Sequence, residues 1–137
     1  MNSPVTIDAS VFVSAFSPVE MAHVDSKAFM REVTDSNVPI IVPAIVIPEI
    51  AAAIGRGQGK PDLAIAFANE VIQLPSLTLI PVDEGLAHLA AETAARYRLR
   101  GNDAIYAAVS LRFGTDLVTL DREQVDRLKE VLSVCSP

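Results

Sequence analysis

The 137-residue chain is long enough to bury a core of its own and short enough to form one domain. Half of its residues are hydrophobic and its mean hydropathy is +0.36, a composition that excludes a disordered chain. Its formal net charge of −6 argues against nucleic-acid binding by bulk charge, and its single cysteine excludes an internal disulfide and a cysteine-rich zinc site. We therefore expect one domain spanning residues 1–137, with any nucleic-acid contact made through a local basic patch or bridging cations.

The predicted elements alternate between strands and helices along the chain. β-Branched runs predict the strands, and apolar residues at helical spacing predict the segments between them. Strands are predicted at residues 4–8, 39–43, 77–82 and 116–120, with a short fifth at 131–134, and helices at residues 10–16, 20–36, 44–56, 62–74, 83–97, 104–113 and 124–130. This alternation predicts an α/β fold, a three-layer α/β/α domain around a central parallel sheet of four to five strands.

Local signals indicate where several of these elements begin and end. Ser10 is expected to cap the first helix, and Asp83 the helix after the third strand. Gly114 is expected to stop the helix before the fourth strand. The glycine-rich segment 55–61 is expected to be a flexible loop.

Neither a membrane span nor a targeting signal is predicted. The N-terminus lacks a basic start followed by a long apolar region. The longest apolar tract, residues 38–53, is interrupted by three prolines and by Glu49. A single cysteine suits a reducing compartment, so we expect a cytoplasmic protein without membrane contact.

Four acidic residues fall at one predicted edge of the sheet. Asp8 and Asp121 follow strands, whereas Glu49 and Asp103 lie on the opening turns of helices, and in a parallel α/β domain all four positions share the carboxyl edge. Taken singly, each has an ordinary explanation as a cap, turn or helix-edge residue. Taken together, four carboxylates in one cleft repel each other unless cations are present. An all-oxygen ligand set suits Mg²⁺ or Mn²⁺, which can align and activate a water for in-line attack on a phosphodiester.

Other polar residues near these acids allow two interpretations each. Ser10 and Thr119 each lie two residues from an acid, where they either orient a carboxylate or water or simply favour a cap and a strand. Four basic residues either contact an RNA backbone or have structural and solvated roles: Arg56, Lys60, Arg98 and Arg100.

Four short motifs resemble those of the PIN domain, most closely the VapC-type toxins of bacterial and archaeal toxin–antitoxin pairs. They are Ile7-Asp8-Ala9-Ser10-Val11-Phe12, Pro48-Glu49-Ile50, Arg100-Gly101-Asn102-Asp103-Ala104-Ile105-Tyr106-Ala107-Ala108 and Val118-Thr119-Leu120-Asp121. The resemblance covers essentially the whole chain. Two departures, Pro48 before the glutamate and the lack of an aromatic residue soon after Asp121, remove none of the acids.

The resemblance implies a Mg²⁺- or Mn²⁺-dependent endoribonuclease. The family's catalytic and metal-binding acids match Asp8, Glu49, Asp103 and Asp121, and Ser10 and Thr119 match hydroxyl positions often found beside the metal. The resemblance also implies a homodimer, and inhibition by a cognate antitoxin whose tail occupies the acidic groove.

Three alternatives remain open at this point. A non-catalytic PIN-like module that binds RNA or protein would keep the fold without the activity. An aspartyl-phosphate hydrolase would use Asp8 as nucleophile but typically carries a second aspartate where this chain has Ser10. A phosphoacceptor domain would want paired acids at the end of the first strand and a lysine beside a late strand end, whereas Lys129 falls within a predicted helix.

Overall fold

The computed structural model describes residues 3–137, which form five strands and seven helices. The strands are β1 (Val5–Ile7), β2 (Ile40–Pro43), β3 (Leu77–Ile80), β4 (Asp116–Val118) and β5 (Val134–Cys135). The helices are α1 (Ala9–Phe16), α2 (His23–Asp35), α3 (Val46–Gln58), α4 (Pro61–Ile72), α5 (Glu84–Tyr97), α6 (Gly101–Phe113) and α7 (Arg122–Leu128). Within the described range, none of these helices combines the length and apolar character that a membrane crossing needs.

The five strands form one sheet in the order β3-β2-β1-β4-β5, and every neighbouring pair is parallel. β1 lies at the centre, where Val5 pairs with Ile40 on one side and with Asp116 on the other. All three residues of β1 are buried, as expected for a strand covered on both faces. The predicted parallel sheet is confirmed, and all strand carboxyl ends therefore meet at one edge.

Helices cover both faces of the sheet, which confirms the predicted three-layer arrangement. Residues alternate along β2 between two hydrophobic cores. Ile40 and Val42 belong to the larger core, which contains buried residues of α1 to α4. Ile41 packs against the smaller core formed by α5 and α6.

The first helix begins directly after β1, and its cap differs from the prediction. Asp8 has extended backbone angles (φ −66°, ψ 148°) and is the N-cap residue, whereas Ser10 lies inside the first turn. The Asp8 side chain makes no capping hydrogen bond. The prediction that Ser10 caps α1 was wrong because Asp8 alone connects β1 to α1, so the helix begins before Ser10.

The glycine-rich segment 55–61 is mostly helical, so the prediction of a flexible loop there was wrong. α3 continues through Gly55 and Gly57 to Gln58 and ends at Gly59, whose φ of 63° lies in the left-handed region. A Cβ atom at Gly55 would stand 3.9 Å from the Cβ of Ala64, so α3 and α4 pack closely at this point. This packing keeps the segment helical despite its glycines.

Smaller differences occur at other element ends. The chain after α7 forms a turn, in which Val131 and Leu132 donate backbone hydrogen bonds to the Leu128 carbonyl, so β5 begins only at Val134. The other two predicted boundaries are confirmed. Asp83 accepts a hydrogen bond from the Leu86 N–H at 2.8 Å, and Gly114 ends α6 with a φ of 67°.

Candidate functional site

The four predicted acids lie at the carboxyl edge of the sheet. Asp8 follows β1, and Asp121 is the N-cap of α7 beyond the end of β4. Glu49 and Asp103 lie in the first turns of α3 and α6. The charges of these carboxylates act on one another, since Asp8, Glu49 and Asp121 each raise the pKa of Asp103. The structure therefore brings together four side chains that are far apart in sequence.

Three of these acids line one cleft of about 710 Å³, namely Asp8, Glu49 and Asp103. Asp121 lies beside Leu120, a residue that lines both this cleft and an adjoining cavity. Glu20, in the connection between α1 and α2, also faces both spaces and adds a fifth carboxylate to the rim. The cleft is thus strongly acidic at the sheet edge.

Asp8 is buried and is held by two hydroxyl groups. Ser10 Oγ donates to Asp8 Oδ2 at 2.7 Å, and Thr119 Oγ1 donates to the same oxygen at 3.0 Å. Burial raises the pKa of Asp8, and the two hydrogen bonds act in the opposite direction. Ser10 and Thr119 thus contact the acid at the end of β1, in the position that the sequence analysis expected of them.

Glu49 is half-buried and is held by two side chains of α6. The Tyr106 hydroxyl donates to Glu49 Oε1 at 2.6 Å, and Asn102 Nδ2 donates to Oε2 at 3.1 Å. Burial raises the pKa of Glu49, and the charge of Asp8 raises it further, whereas the Tyr106 and Asn102 hydrogen bonds lower it. Both carboxylate oxygens therefore have a fixed donor.

Asp103 is the acid with the most strongly perturbed titration. Its pKa is raised to about 6, chiefly by burial and further by the neighbouring carboxylates of Asp8, Asp121 and Glu49. Arg100, the N-cap residue of α6, lowers the pKa of Asp103 through its positive charge. At neutral pH this carboxylate is therefore ionised against unfavourable surroundings, a condition typical of functional sites.

The four predicted basic residues are not all near the acids. Arg56 lines the cleft, and Arg100 acts on Asp103. Lys60 is exposed in the connection between α3 and α4. Arg98 caps the C-terminus of α5, lines a separate cavity beside α7, and offers its carbonyl to the Arg127 guanidinium. Two of the four thus lie at the cleft and two lie away from it.

The donor set of the cleft fits Mg²⁺ or Mn²⁺ bound partly through water. Within residues 3–137, no three His, Cys, Asp or Glu side chains form a ready-made metal cage. Mg²⁺ does not require one, because it usually keeps several waters and uses only one or two carboxylates. Burial is the largest cause of the raised pKa values of Asp8, Glu49 and Asp103, and neighbouring carboxylates add a repulsion that a divalent cation relieves.

Sequence reasoning missed three polar residues of this site. Asn102 and Tyr106 are four residues apart on α6 and so share the helix face that meets Glu49, a spacing visible in the sequence. Gln124 is buried on α7 and its Nε2 lies 3.4 Å from Thr119 Oγ1. Nothing in the sequence around Gln124 marks it as buried.

Comparisons with known proteins agree on the fold. The PIN domain family model matches residues 5–131. Similar solved structures include VapC20 from Mycobacterium tuberculosis, described as a sarcin–ricin loop cleaving toxin, with 18% identity, a TM-score of 0.76, and coverage of 97% of this chain and 99% of that one. FitAcB from Neisseria gonorrhoeae is 16% identical with a TM-score of 0.71, covering 95% of each chain.

A third structure, VapBC2 from Rickettsia felis bound to a DNA fragment from their promoter, is 13% identical with a TM-score of 0.71 and 98% coverage of both chains. Comparison with curated proteins finds no significant match. At these identities the solved structures establish a shared fold, while the family model extends over nearly the whole sequence. The chain belongs to the PIN domain family.

Proposed function

We propose that this protein is a Mg²⁺- or Mn²⁺-dependent endoribonuclease and the toxin of a VapBC-type toxin–antitoxin pair. The observation that carries the proposal is the group of mutually repelling carboxylates at one sheet edge of a PIN domain. A similar structure, VapC20, is described as a sarcin–ricin loop cleaving toxin, and another, VapBC2, is described as bound to a DNA fragment from their promoter. An acidic cleft suits a phosphodiester substrate only when cations offset the shared negative charge.

Asp8, Glu49, Asp103 and Asp121 would hold the cation. When bound, the cation supplies a water of lowered pKa and neutralises charge on the scissile phosphate. Ser10 and Thr119 fix the orientation of the Asp8 carboxylate by donating to one of its oxygens. Both hydroxyls contact Asp8 Oδ2, so Oδ1 would be the oxygen that Asp8 offers to the cation.

Basic side chains around the cleft would bind the RNA backbone. Arg56 lines the acidic cleft and the charge of Arg100 acts on Asp103, so both would contact phosphates of an RNA bound there. Lys60 and Arg98 lie further away and would contact flanking nucleotides. Because they are exposed, they would contribute affinity rather than sequence preference.

Cleavage of labelled RNA with Mg²⁺ or with EDTA tests the proposal. We expect cleavage only with the metal, and a fall of about 100-fold or more in Asp8→Asn and Asp103→Asn. Asp35→Asn, at the exposed end of α2, is the matched control and should cleave normally. Cleavage that persists in EDTA would refute metal dependence. A protein that binds Mn²⁺ without cleaving any RNA would instead be the non-catalytic module, and stable phosphorylation of Asp8 would point to the phosphoacceptor alternative.

The proposed partners are a cognate antitoxin and a second copy of this chain, in the cytoplasm. The cleft carboxylates and Glu20 form a surface complementary to a basic segment of an antitoxin. Co-expression with a cognate antitoxin should give a complex that no longer cleaves RNA. Sedimentation of the isolated protein should show a dimer, and a monomer at micromolar concentration would refute the homodimer.

A further inference from the structure

Tyr106 is the bulkiest fully buried residue of residues 3–137, and its hydroxyl group contacts Glu49, a residue that lines the cleft. A buried tyrosine normally finds a partner for its hydroxyl. Here the partner is Glu49 Oε1, at 2.6 Å, on a different helix and 57 positions away in the sequence. An ionised carboxylate can only accept hydrogen bonds, so the Tyr106 hydroxyl is the donor of this bond.

Asn102 completes a two-point contact between α6 and Glu49. It lies one helical turn before Tyr106, on the same face, and donates from Nδ2 to Glu49 Oε2 at 3.1 Å. Each carboxylate oxygen has two lone pairs, and each uses one of them here. One lone pair on each oxygen therefore remains for a cation or its water.

This contact opposes the forces that would otherwise displace Glu49. A free glutamate side chain samples several rotamers, and the charge of Asp8 repels the Glu49 carboxylate. Two donors from one rigid helix hold the carboxylate in a single orientation in spite of that repulsion. Asp103 lies on the same helix between the two donors in sequence, so Glu49 and Asp103 are placed relative to each other by α6.

We propose that Tyr106 is a positioning residue that fixes the Glu49 carboxylate for binding a divalent cation. Asn102 contributes the second hydrogen bond to the same carboxylate. The inference rests on the proposed function, because it assigns Glu49 to a metal site. It goes beyond that function by predicting that a buried phenol, which touches neither metal nor RNA, sets the metal affinity. Groups that orient metal ligands in this way typically change affinity by 10- to 100-fold when removed.

Titration of the full chain with Mn²⁺, without RNA, tests this inference by calorimetry. Tyr106→Phe should weaken Mn²⁺ binding by about tenfold, since it removes the hydroxyl and keeps the ring in the core. Tyr97→Phe, on α5 and outside the cleft lining, is the matched control and should bind as the unaltered protein does. Thermal unfolding in EDTA establishes that both variants are folded.

A double-mutant cycle with Glu49→Gln separates positioning from a general structural effect. If Tyr106 acts through Glu49, adding Tyr106→Phe to Glu49→Gln should cause no further loss of Mn²⁺ affinity. An equal loss in both backgrounds, or no loss in the unaltered background, would overturn the inference while leaving the proposed nuclease intact. Should Tyr106→Phe fail to fold, Asn102→Ala, at an exposed position, replaces it in the same cycle with the same criteria. Absence of Mn²⁺ binding by the unaltered protein would overturn both proposals.

Discussion

Thr119 contacts two of the four acids. Its fully buried hydroxyl donates to Asp8 and accepts hydrogen bonds from the Asp121 backbone N–H at 3.1 Å and from Gln124 Nε2 at 3.4 Å. A hydroxyl has one donor and two acceptor sites, so Thr119 uses its full capacity. It therefore fixes the start of α7 relative to the end of β1.

Replacing Thr119 by valine should test this role. Thr119→Val keeps the shape of the side chain but removes every hydrogen bond of the hydroxyl, leaving Asp8 with one hydroxyl donor and the Asp121 N–H without its partner. We expect the free energy of unfolding in EDTA to fall by about 1–3 kcal/mol, measured by urea denaturation. Thr78→Val, at an exposed position on β3, should change it by less than about 0.5 kcal/mol. Equal effects at the two positions would contradict the assigned role.

The acids of the candidate site and the two hydroxyls beside Asp8 could be proposed from the sequence, but the hydrogen-bond partners of Glu49 and Thr119 could not. Each acid stands at a strand end or a helix start, and a parallel sheet brings such positions to one edge. Tyr106 and Gln124 depend instead on contacts between different helices and loops, and no local pattern encodes these contacts. A fully buried tyrosine in an alanine-rich helix is indistinguishable, in sequence, from an ordinary core residue.

At the level of elements, glycine occupies two different positions at the end of α3, one inside the helix and one at its C-cap. Gly57 lies inside the helix, and apart from its chain neighbours and the nearby helix backbone no atom lies within 4 Å of where its Cβ would be. Gly59 lies at the C-cap with a φ of 63°, a conformation that disfavours residues with a Cβ. The same substitution at these two positions should therefore have opposite effects.

Gly57→Ala should stabilise the protein by about 0.5–1 kcal/mol, because alanine loses less backbone entropy in a helix. Gly59→Ala should destabilise it by about 1–2 kcal/mol, because the left-handed conformation crowds the added Cβ. Urea denaturation in EDTA measures both. If both substitutions were neutral, the segment would be the flexible loop predicted from its composition and not the end of a helix.

Element boundaries were predictable where a side chain or a glycine terminates a helix locally. Asp83 and Gly114 are such positions, and both end or begin helices as predicted. The segment 55–61 was not predictable because close packing of Gly55 against Ala64 outweighs the low helix propensity of glycine. Tertiary contacts of this kind leave no trace in propensity or periodicity.

At the scale of the whole molecule, the alternation of strands and helices sufficed to predict a parallel sheet with helices on both faces. Parallel neighbours need crossover connections, and helices supply them. The strand order β3-β2-β1-β4-β5 was not predicted, because it depends on which existing strand each new strand pairs with after its crossover. Length and periodicity of the segments do not specify that choice.

The fold concentrates negative charge at one edge, and this arrangement works against stability when no cation is present. The pKa values of Asp8, Glu49 and Asp103 are all raised, with burial as the largest cause in each case. A carboxyl group whose pKa is higher in the folded state binds more protons when folded than when unfolded. Its contribution to stability is therefore present at low pH and is lost as pH rises through the folded pKa.

Metal-free protein should consequently be more stable at pH 5 than at pH 7.5. For Asp103 the loss spans from its ordinary value of 3.8 to about 6, and Asp8 and Glu49 act with the same sign. Thermal unfolding in EDTA should show a Tm lower by about a few degrees at pH 7.5, and millimolar Mg²⁺ should restore it there more than at pH 5. Asp103→Asn should flatten the pH dependence, because it removes the most strongly perturbed group. A Tm in EDTA that rises between pH 5 and pH 7.5 would show that the carboxylates are not held together against repulsion.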